Sequence, residues 1–176
     1  MPFKTEKLLF EIALTSPFIQ NMVDSLVYTT FACIEPQGLF GIPDLVVANI
    51  EYNHTGPRIC RSFAFEMKLS NWKRALIQAY RYLAFSNYSF VVIDRSSQKP
   101  AIDHIQEFAL SNIGLMSVDR SGFFSLHYFP KFNKPYSYNL ECKLTELLLG
   151  GKGKNPNQSS DLLFWNHPNS QYENIF

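Results

Sequence analysis

Two short segments decide the fold of this chain: GIPDLVV at residues 41–47 and FAFEMK at residues 63–68. The first segment places an acid, Asp44, at the head of an apolar run, and the second ends an apolar run with Glu66 and Lys68. Side chains two residues apart in a strand point to the same face, so Glu66 and Lys68 are expected to lie side by side. Antiparallel pairing of the two runs would bring Asp44 to Glu66 at one point of a sheet.

A β-hairpin is the predicted means of that pairing. Strands are expected over residues 42–50 and 62–69, and the polar turn Asn-His-Thr-Gly-Pro lies between them at residues 53–57. The first strand is apolar along nearly its whole length, which is typical of a strand that is covered on both faces.

The rest of the sequence alternates between helix and strand patterns. Thr5 is expected to cap the first helix, and strand–helix–strand alternation after Lys68 predicts an α/β fold, a central mixed β-sheet flanked by helices on both faces. The helices are predicted over residues 5–14, 17–26, 71–86, 101–111 and 139–149, and the other strands over 27–34, 88–93, 115–118 and 123–129.

The composition changes at residue 130. We therefore expect one domain over residues 1–130 and a C-terminal extension over residues 131–176, which contains a short helix and a linker rich in Gly, Lys and Asn at 150–157. The apolar residues 162–165 in this extension are expected to dock back on the domain or on a partner.

Bulk composition excludes several classes of protein. The 176 residues suit one main domain, and the 46% of hydrophobic residues is enough for a core. Net charge is +1, so charge alone does not indicate a nucleic-acid partner, although a local basic patch is compatible with it. The three cysteines are widely spaced and predict reduced thiols, and no apolar run approaches the ~20 residues of a membrane span. A cytoplasmic protein without a membrane partner is expected.

The chemistry of the two segments points to a divalent cation. Asp44 and Glu66 supply carboxylates and the carbonyl of Met67 supplies a further oxygen, which are the ligands that Mg²⁺ prefers, with Mn²⁺ as a substitute. Such a metal polarises a phosphate and lowers the pKa of a water. Lys68 would orient that water or stabilise developing negative charge. The alternative interpretation is a Glu–Lys pair on a half-exposed strand without catalytic meaning.

The ordered set Pro43-Asp44, Glu66-Met67-Lys68 and a Gln78-x-x-x-Tyr82 pattern resembles the PD-(D/E)XK nuclease superfamily over residues 4–120. This resemblance implies a restriction-endonuclease-like fold, with Mg²⁺ on Asp44 and Glu66 and with Lys68 assisting the water. Many members of the superfamily also place a glutamate of the first helix near the metal. Glu11 or Glu6 could match it, and Glu11 is favoured because it lies in the middle of the predicted helix.

The helix after the second segment carries the remaining candidates. Gln78 and Tyr82 are four residues apart and share a helix face, and the resemblance implies that they position the site or contact DNA. A core-edge amide and a packing tyrosine are the alternative. Lys73, Arg74 and Arg81 have no acid near them on this helix, so they are candidates for DNA contact or simply form a solvated face.

These observations together predict a Mg²⁺-dependent deoxyribonuclease. A nuclease-fold DNA-binding or scaffold subunit that has lost turnover is the alternative, as is a nuclease that needs a partner, either as a homodimer or as a subunit of a nuclease complex. The sequence leaves open the choice between DNA and RNA and between cleavage at ends and in the interior.

Overall fold

The computed structural model of the chain describes residues 2–150 and the backbone of residues 162–164. Seven strands in this part of the chain form one sheet in the order β6-β5-β4-β3-β2-β1-β7. Strands β3, β4 and β5 run parallel to one another, and the other neighbours are antiparallel. The predicted mixed sheet is thereby confirmed. The strands are β1 Thr29–Ile34, β2 Leu45–Asn53, β3 Gly56–Lys68, β4 Tyr88–Asp94, β5 Gly114–Val118, β6 Phe124–Tyr128 and β7 Leu162–Phe164.

Helices cover both faces of the sheet, as predicted. Phe63, Phe65 and Met67 of β3 face a core that includes residues of α1 and α2, whereas Ala64 faces a core built with α3, α4, α5 and α6. None of the helices in the described residues is long and apolar enough to cross a membrane. The helices are α1 Glu6–Leu14, α2 Pro17–Val23, α3 Trp72–Tyr82, α4 Lys99–Asp103, α5 Ile105–Ser111 and α6 Tyr138–Leu148.

Several element boundaries differ from the predicted ones. The helix expected over residues 101–111 is divided at His104, whose φ of −111° and ψ of 28° interrupt the helix between α4 and α5. The second helix ends at Val23, because Asp24 adopts an extended conformation. The hairpin turn is tighter than expected, since Asn53 pairs with Gly56 and β3 therefore starts six residues early. Gly56 has a φ of +112°, which favours glycine over other residues.

The described part of the C-terminal extension packs on the sheet. Helix α6 buries Leu144 and Leu148 in the core that also contains Ala64, and the Asn133 side chain donates to the carbonyls of Leu83 and Ser86. Residues 131–150 thus share a hydrophobic core with the rest of the fold. Residues 162–164 pair with β1 at the sheet edge, while the predicted linker residues 151–157 and Trp165 lie outside the described residues.

The topology brings the candidate residues to one end of the strands. The carboxyl ends of the parallel strands β3, β4 and β5 meet there, and β2 begins at the same end because it runs antiparallel to β3. Asp44 directly precedes β2 and Lys68 ends β3. The next helix, α3, starts four residues after Lys68 and packs against β3 and β4.

Candidate active site

The hairpin places Asp44 beside Glu66. Leu45 is the Cα partner of Phe65, so the preceding Asp44 lies opposite Glu66. The Asp44 amide donates to the Phe65 carbonyl at 3.0 Å, and the Met67 amide donates to Asp44 Oδ2 at 2.6 Å. The convergence predicted from the two segments is confirmed, and one backbone hydrogen bond, from the Met67 amide, holds the Asp44 carboxylate in place.

Glu66 is a buried carboxylate with donors on both oxygens. Only 1% of the residue is exposed. Its Oε1 lies 2.8 Å from Lys68 Nζ, and its Oε2 accepts a short hydrogen bond from the Tyr82 hydroxyl. Burial of a charge is tolerated only when it is paired and hydrogen-bonded. Lys68 and Tyr82 therefore make the position of Glu66 possible.

Lys68 joins the groups of the site. Its Nζ donates to the Met67 carbonyl at 3.1 Å and lies 3.6 Å from Glu6 Oε2. Burial lowers the pKa of Lys68, but the hydrogen bond and charge of Glu66, with the charges of Asp44 and Glu6, raise this pKa above its ordinary value. Lys68 is therefore a protonated donor at neutral pH, and it cannot serve as a general base in this arrangement.

The negative charge of Asp44 is less completely balanced by neighbouring donors and cations than that of Glu66. Burial and then the nearby charge of Glu66 raise the pKa of Asp44 to about 6, although the Met67 hydrogen bond and the charge of Lys68 partly oppose the rise. Two acids close together and one ammonium beside Glu66 leave an excess of negative charge when both acids are ionised. This excess is the electrostatic condition that favours a bound cation.

Tyr82 belongs to the support of the site, and its burial does not favour the predicted contact with DNA. The residue is 1% exposed, and its hydroxyl donates to Glu66 and lies 3.1 Å from the Ile42 carbonyl oxygen. Burial and the charge of Glu66 raise the pKa of Tyr82, so the hydroxyl keeps its proton. The chain passes close over the ring at Gly41, where a Cβ atom would lie 2.8 Å from Tyr82 Cε1.

Gln78 lies one helical turn before Tyr82 on α3. It is half-buried, and its Oε1 is fully buried without a hydrogen-bond partner among the described residues. Buried amide oxygens are normally paired, because an unpaired one costs about 1–3 kcal/mol. An unpaired buried acceptor of this kind fits a residue that accepts a hydrogen bond from a water molecule, and the site role of Gln78 remains a prediction.

The structure brings Glu6, rather than the favoured Glu11, to the site. Glu11 lies 4.0 Å from Lys7 on the exposed side of α1, whereas Glu6 in the first turn approaches Lys68. The preference for a mid-helix glutamate was wrong because the N-terminus of α1, not its middle, lies beside the end of β3. The helix pattern could not show which end of α1 approaches the hairpin.

The three cationic candidates lie on the outer side of α3. Lys73, Arg74 and Arg81 are all exposed. The Lys73 ammonium lies 5.4 Å from the centre of the Trp72 ring, and the Arg81 guanidinium lies 6.0 Å from the Phe40 ring. Contact of these cations with DNA remains a prediction.

The residues present suit a hard cation in ligand type. Within the described residues, no three side chains of His, Cys, Asp or Glu are grouped so as to hold a metal. The candidate set instead combines the carboxylates of Asp44 and Glu66 with the Met67 carbonyl, all oxygen ligands. Lys68 occupies Glu66 Oε1 and the Met67 carbonyl in this structure. Metal binding would therefore require the ammonium to give up some of these contacts.

A second polar cluster, on β5 and β6, does not have the features of a nucleophilic site. Ser117 Oγ lies 2.8 Å from His127 Nε2, a distance that would suit a serine nucleophile and its base. The same hydroxyl donates to Gln98 Oε1 at 2.6 Å, and Ser117 is fully buried. A substrate could not reach this oxygen, so the cluster is interpreted as a structural hydrogen-bond network.

Comparison of the chain with protein-family models, with curated proteins and with solved structures found no match. The function is therefore inferred from the geometry of the site and from the residues that form it.

We predict that Tyr82→Phe destabilises the protein by about 1–3 kcal/mol, because Glu66 Oε2 and the Ile42 carbonyl lose their shared donor in a buried place. Tyr80→Phe is the matched control, since Tyr80 is exposed on the same helix and should change the free energy of unfolding by less than about 0.5 kcal/mol. Urea denaturation of both variants measures the difference. Equal stabilities would contradict the assigned role of the Tyr82 hydroxyl.

We also predict that the stability of Asp44→Asn, measured relative to the wild type, increases as pH rises. The pKa of Asp44 is about 6 in the folded chain against 3.8 ordinarily. The folded state thus holds the proton longer than the unfolded state, and the wild type loses stability between about pH 4 and pH 7. One pKa unit corresponds to about 1.4 kcal/mol, so the advantage of the variant should grow by up to about 3 kcal/mol.

Denaturation of wild type and variant at several pH values checks this expectation. Asp103→Asn, at an exposed position of α4, controls for the loss of one carboxylate. A stability difference between Asp44→Asn and wild type that stays constant from pH 4 to pH 8 would show that Asp44 is not held as an uncompensated acid.

Proposed function

We propose that this protein is a Mg²⁺-dependent nuclease that hydrolyses phosphodiester bonds in DNA. One observation carries the proposal: the carboxylates of Asp44 and Glu66 and the ammonium of Lys68 converge where β2 and β3 pair, at one end of the strands. Two acids and a lysine at one point are the groups that metal-assisted phosphoryl chemistry needs.

The acids are assigned to metal binding. Asp44 and Glu66, with the Met67 carbonyl, would hold Mg²⁺ or its substitute Mn²⁺. When bound, the cation supplies a Lewis acid for a phosphate oxygen and lowers the pKa of a water. The raised pKa of Asp44 supports this assignment, because a cation would relieve the repulsion between the two carboxylates.

Lys68 is assigned to charge stabilisation. Its pKa is raised, so it carries a positive charge at the pH where a nuclease works. Lys68 ends the strand that carries Glu66, so the ammonium that gives up contacts to a bound metal stays beside the site as a donor for an oxygen that gains negative charge. It can also donate to the attacking water and fix its direction.

The groups around this centre are assigned to positioning. Tyr82 holds one oxygen of Glu66, and Glu6 approaches Lys68 from α1. The unpaired Gln78 Oε1 is an acceptor for a hydrogen bond from a water molecule. Gln78 and Tyr82 lie on α3 and Glu6 lies on α1, so the packing of these helices against the hairpin sets the geometry of the site.

The order of elements also supports the proposal. Helices α1 and α2 are followed by the antiparallel strands β1, β2 and β3, then by α3 and by β4, which lies parallel to β3. This is the order that the resemblance to the PD-(D/E)XK superfamily implies, and we include a restriction-endonuclease-like fold in the proposal.

The burial and complete pairing of Glu66 favour a second candidate function. Both carboxylate oxygens are paired inside the chain by Lys68 and Tyr82, and the residue is 1% exposed. A nuclease-fold subunit that binds DNA or another subunit, and has lost turnover, would retain such a satisfied pair for stability. A nuclease that opens its site only with a partner, as a homodimer or in a nuclease complex, would also show it.

Cleavage assays with Mg²⁺ and Mn²⁺ on supercoiled, linear, single-stranded and branched DNA test the proposal. Asp44→Asn and Lys68→Ala should each reduce the cleavage rate by about 100-fold or more, because the first removes a charge that would hold the metal and the second a charge that acts at the reacting phosphate. The matched controls are Asp103→Asn and Lys99→Ala, which together form an exposed ion pair on α4, and both should cut like the wild type.

Full cleavage by Asp44→Asn or Lys68→Ala of every DNA that the wild type cuts would refute the proposed site. Calorimetric titration with Mn²⁺ separates the two candidates. A nuclease site predicts binding that Glu66→Gln abolishes, whereas a subunit without turnover predicts no binding that depends on Glu66 and no cleavage with either metal.

A further inference from the structure

Exposed aromatic side chains lie on α3 and beside it, on the segments before β2 and before α6. It consists of Phe40, Tyr80 and Tyr136, which are 51%, 54% and 64% exposed, together with Arg81. We call these four residues the α3 aromatic strip. Exposure of large rings is costly unless they meet a ligand or partner, so a run of three close to a candidate site invites a functional explanation.

The strip begins beside the support of the site. Phe40 lies four residues before Asp44 in the segment that connects β1 to β2, and Arg81 directly precedes Tyr82, which holds Glu66. The Arg81 guanidinium lies 6.0 Å from the centre of the Phe40 ring, so the two residues form one surface. This surface adjoins the support of the site, since Gly41, next to Phe40, packs on the ring of Tyr82, whose hydroxyl donates to Glu66.

The strip continues over a groove. Leu76, Ile77, Tyr80, Arg81 and Ser111 line a mainly apolar depression of about 300 Å³ between α3 and the end of α5. Tyr136 lies near the C-terminal end of α3, because the amide of the next residue, Ser137, donates to the Ala84 carbonyl at 3.0 Å. Such a volume is at the lower end of the range for small-ligand sites, roughly 300–1,000 Å³, and can admit flat groups.

The charges around the strip match a polyanion. Lys73, Arg74 and Arg81 are exposed on α3, which contains no acidic residue. The acidic residue at the α5 side is Glu107, one helical turn before Ser111. The cations therefore lie on the α3 side of the groove, where a phosphate backbone would be attracted while bases lie on the rings.

We propose that the α3 aromatic strip binds unpaired nucleotides of a DNA strand by stacking their bases on Phe40, Tyr80 and Tyr136, an inference that rests on the proposed function. Single-stranded nucleic acid is bound by aromatic rings next to cations, and arginine adds cation–π contacts. Bases of a duplex are already stacked on each other and are less available to these rings. The strip thus favours a single-stranded region next to the bond that is cut.

Binding measured without metal separates this inference from cleavage. The probes are a fluorescein-labelled oligothymidylate and a labelled hairpin duplex of the same number of nucleotides, with the full-length chain in EDTA. We expect tighter binding of the single strand. Phe40→Ala, Tyr80→Ala and Tyr136→Ala should each weaken it by about 5- to 150-fold, as expected for one lost base stack.

Two variants control for other effects of substitution. Tyr52→Ala removes an equally exposed ring from β2 near the hairpin turn and should leave binding unchanged. Tyr80→Phe keeps the ring and loses only the hydroxyl, so it should bind the single strand like the wild type. Arg81→Gln should reduce the dependence of affinity on salt as well as the affinity itself.

Equal binding of single strand and duplex, with strip variants no weaker than Tyr52→Ala, would overturn the inference even if the protein cleaves DNA. A dimer in size-exclusion chromatography that Tyr80→Ala dissociates, with DNA binding unchanged, would assign the strip to contact between copies and also overturn it. A third outcome is selective binding of the single strand that the strip variants lose, with no cleavage in the presence of either metal. This outcome would support the inference about the strip and refute the proposed nuclease activity.

Discussion

The carboxylate of Glu66 lies inside the protein and is held by two donors from different elements, Lys68 on the same strand and Tyr82 on α3. Removing Lys68 from this buried ion pair would cost about 3–5 kcal/mol and removing the Tyr82 hydroxyl about 1–3 kcal/mol, so the folded state requires β3 and α3 to keep their relative positions. Gly41 and the Ile42 carbonyl pack on Tyr82 from the segment that leads to Asp44. One buried charge thereby couples β3, α3 and the approach to β2.

This coupling explains how a small α/β fold can bring reactive side chains together at one end of its strands. The parallel strands end where β2 begins, and Asp44 is brought to Glu66 by backbone pairing rather than by side-chain flexibility. The negative charges of the two acids are stabilised to different degrees. Glu66 is held by two side-chain donors, whereas burial and the charge of Glu66 raise the pKa of Asp44. The excess negative charge and the nearby ammonium of Lys68 are the two physical features on which the proposed metal-dependent cleavage depends.

Much of this arrangement follows from local patterns in the sequence. Alternation along β3 shows that Glu66 and Lys68 share a face, and the polar turn before Gly56 shows that the strands pair, so the meeting of Asp44 and Glu66 could be predicted. Long-range packing could not. The choice of Glu6 over Glu11 depends on which end of α1 reaches the hairpin, and the burial of Tyr82 depends on how the chain at Gly41 covers α3. Similarly, the break at His104 is a matter of backbone geometry within an otherwise helical pattern.

The most direct test of the central claim, that Asp44 and Glu66 form a cation site, is proton release on metal binding. With the pKa of Asp44 at about 6, saturation with Mn²⁺ at pH 6 should release about half a proton per chain, and at pH 8 almost none. Calorimetry in buffers of different ionisation enthalpy measures this number, with Asp44→Asn as the control that should release none at either pH. Absence of Mn²⁺ binding, or release that is the same at both pH values and in the variant, would contradict the account.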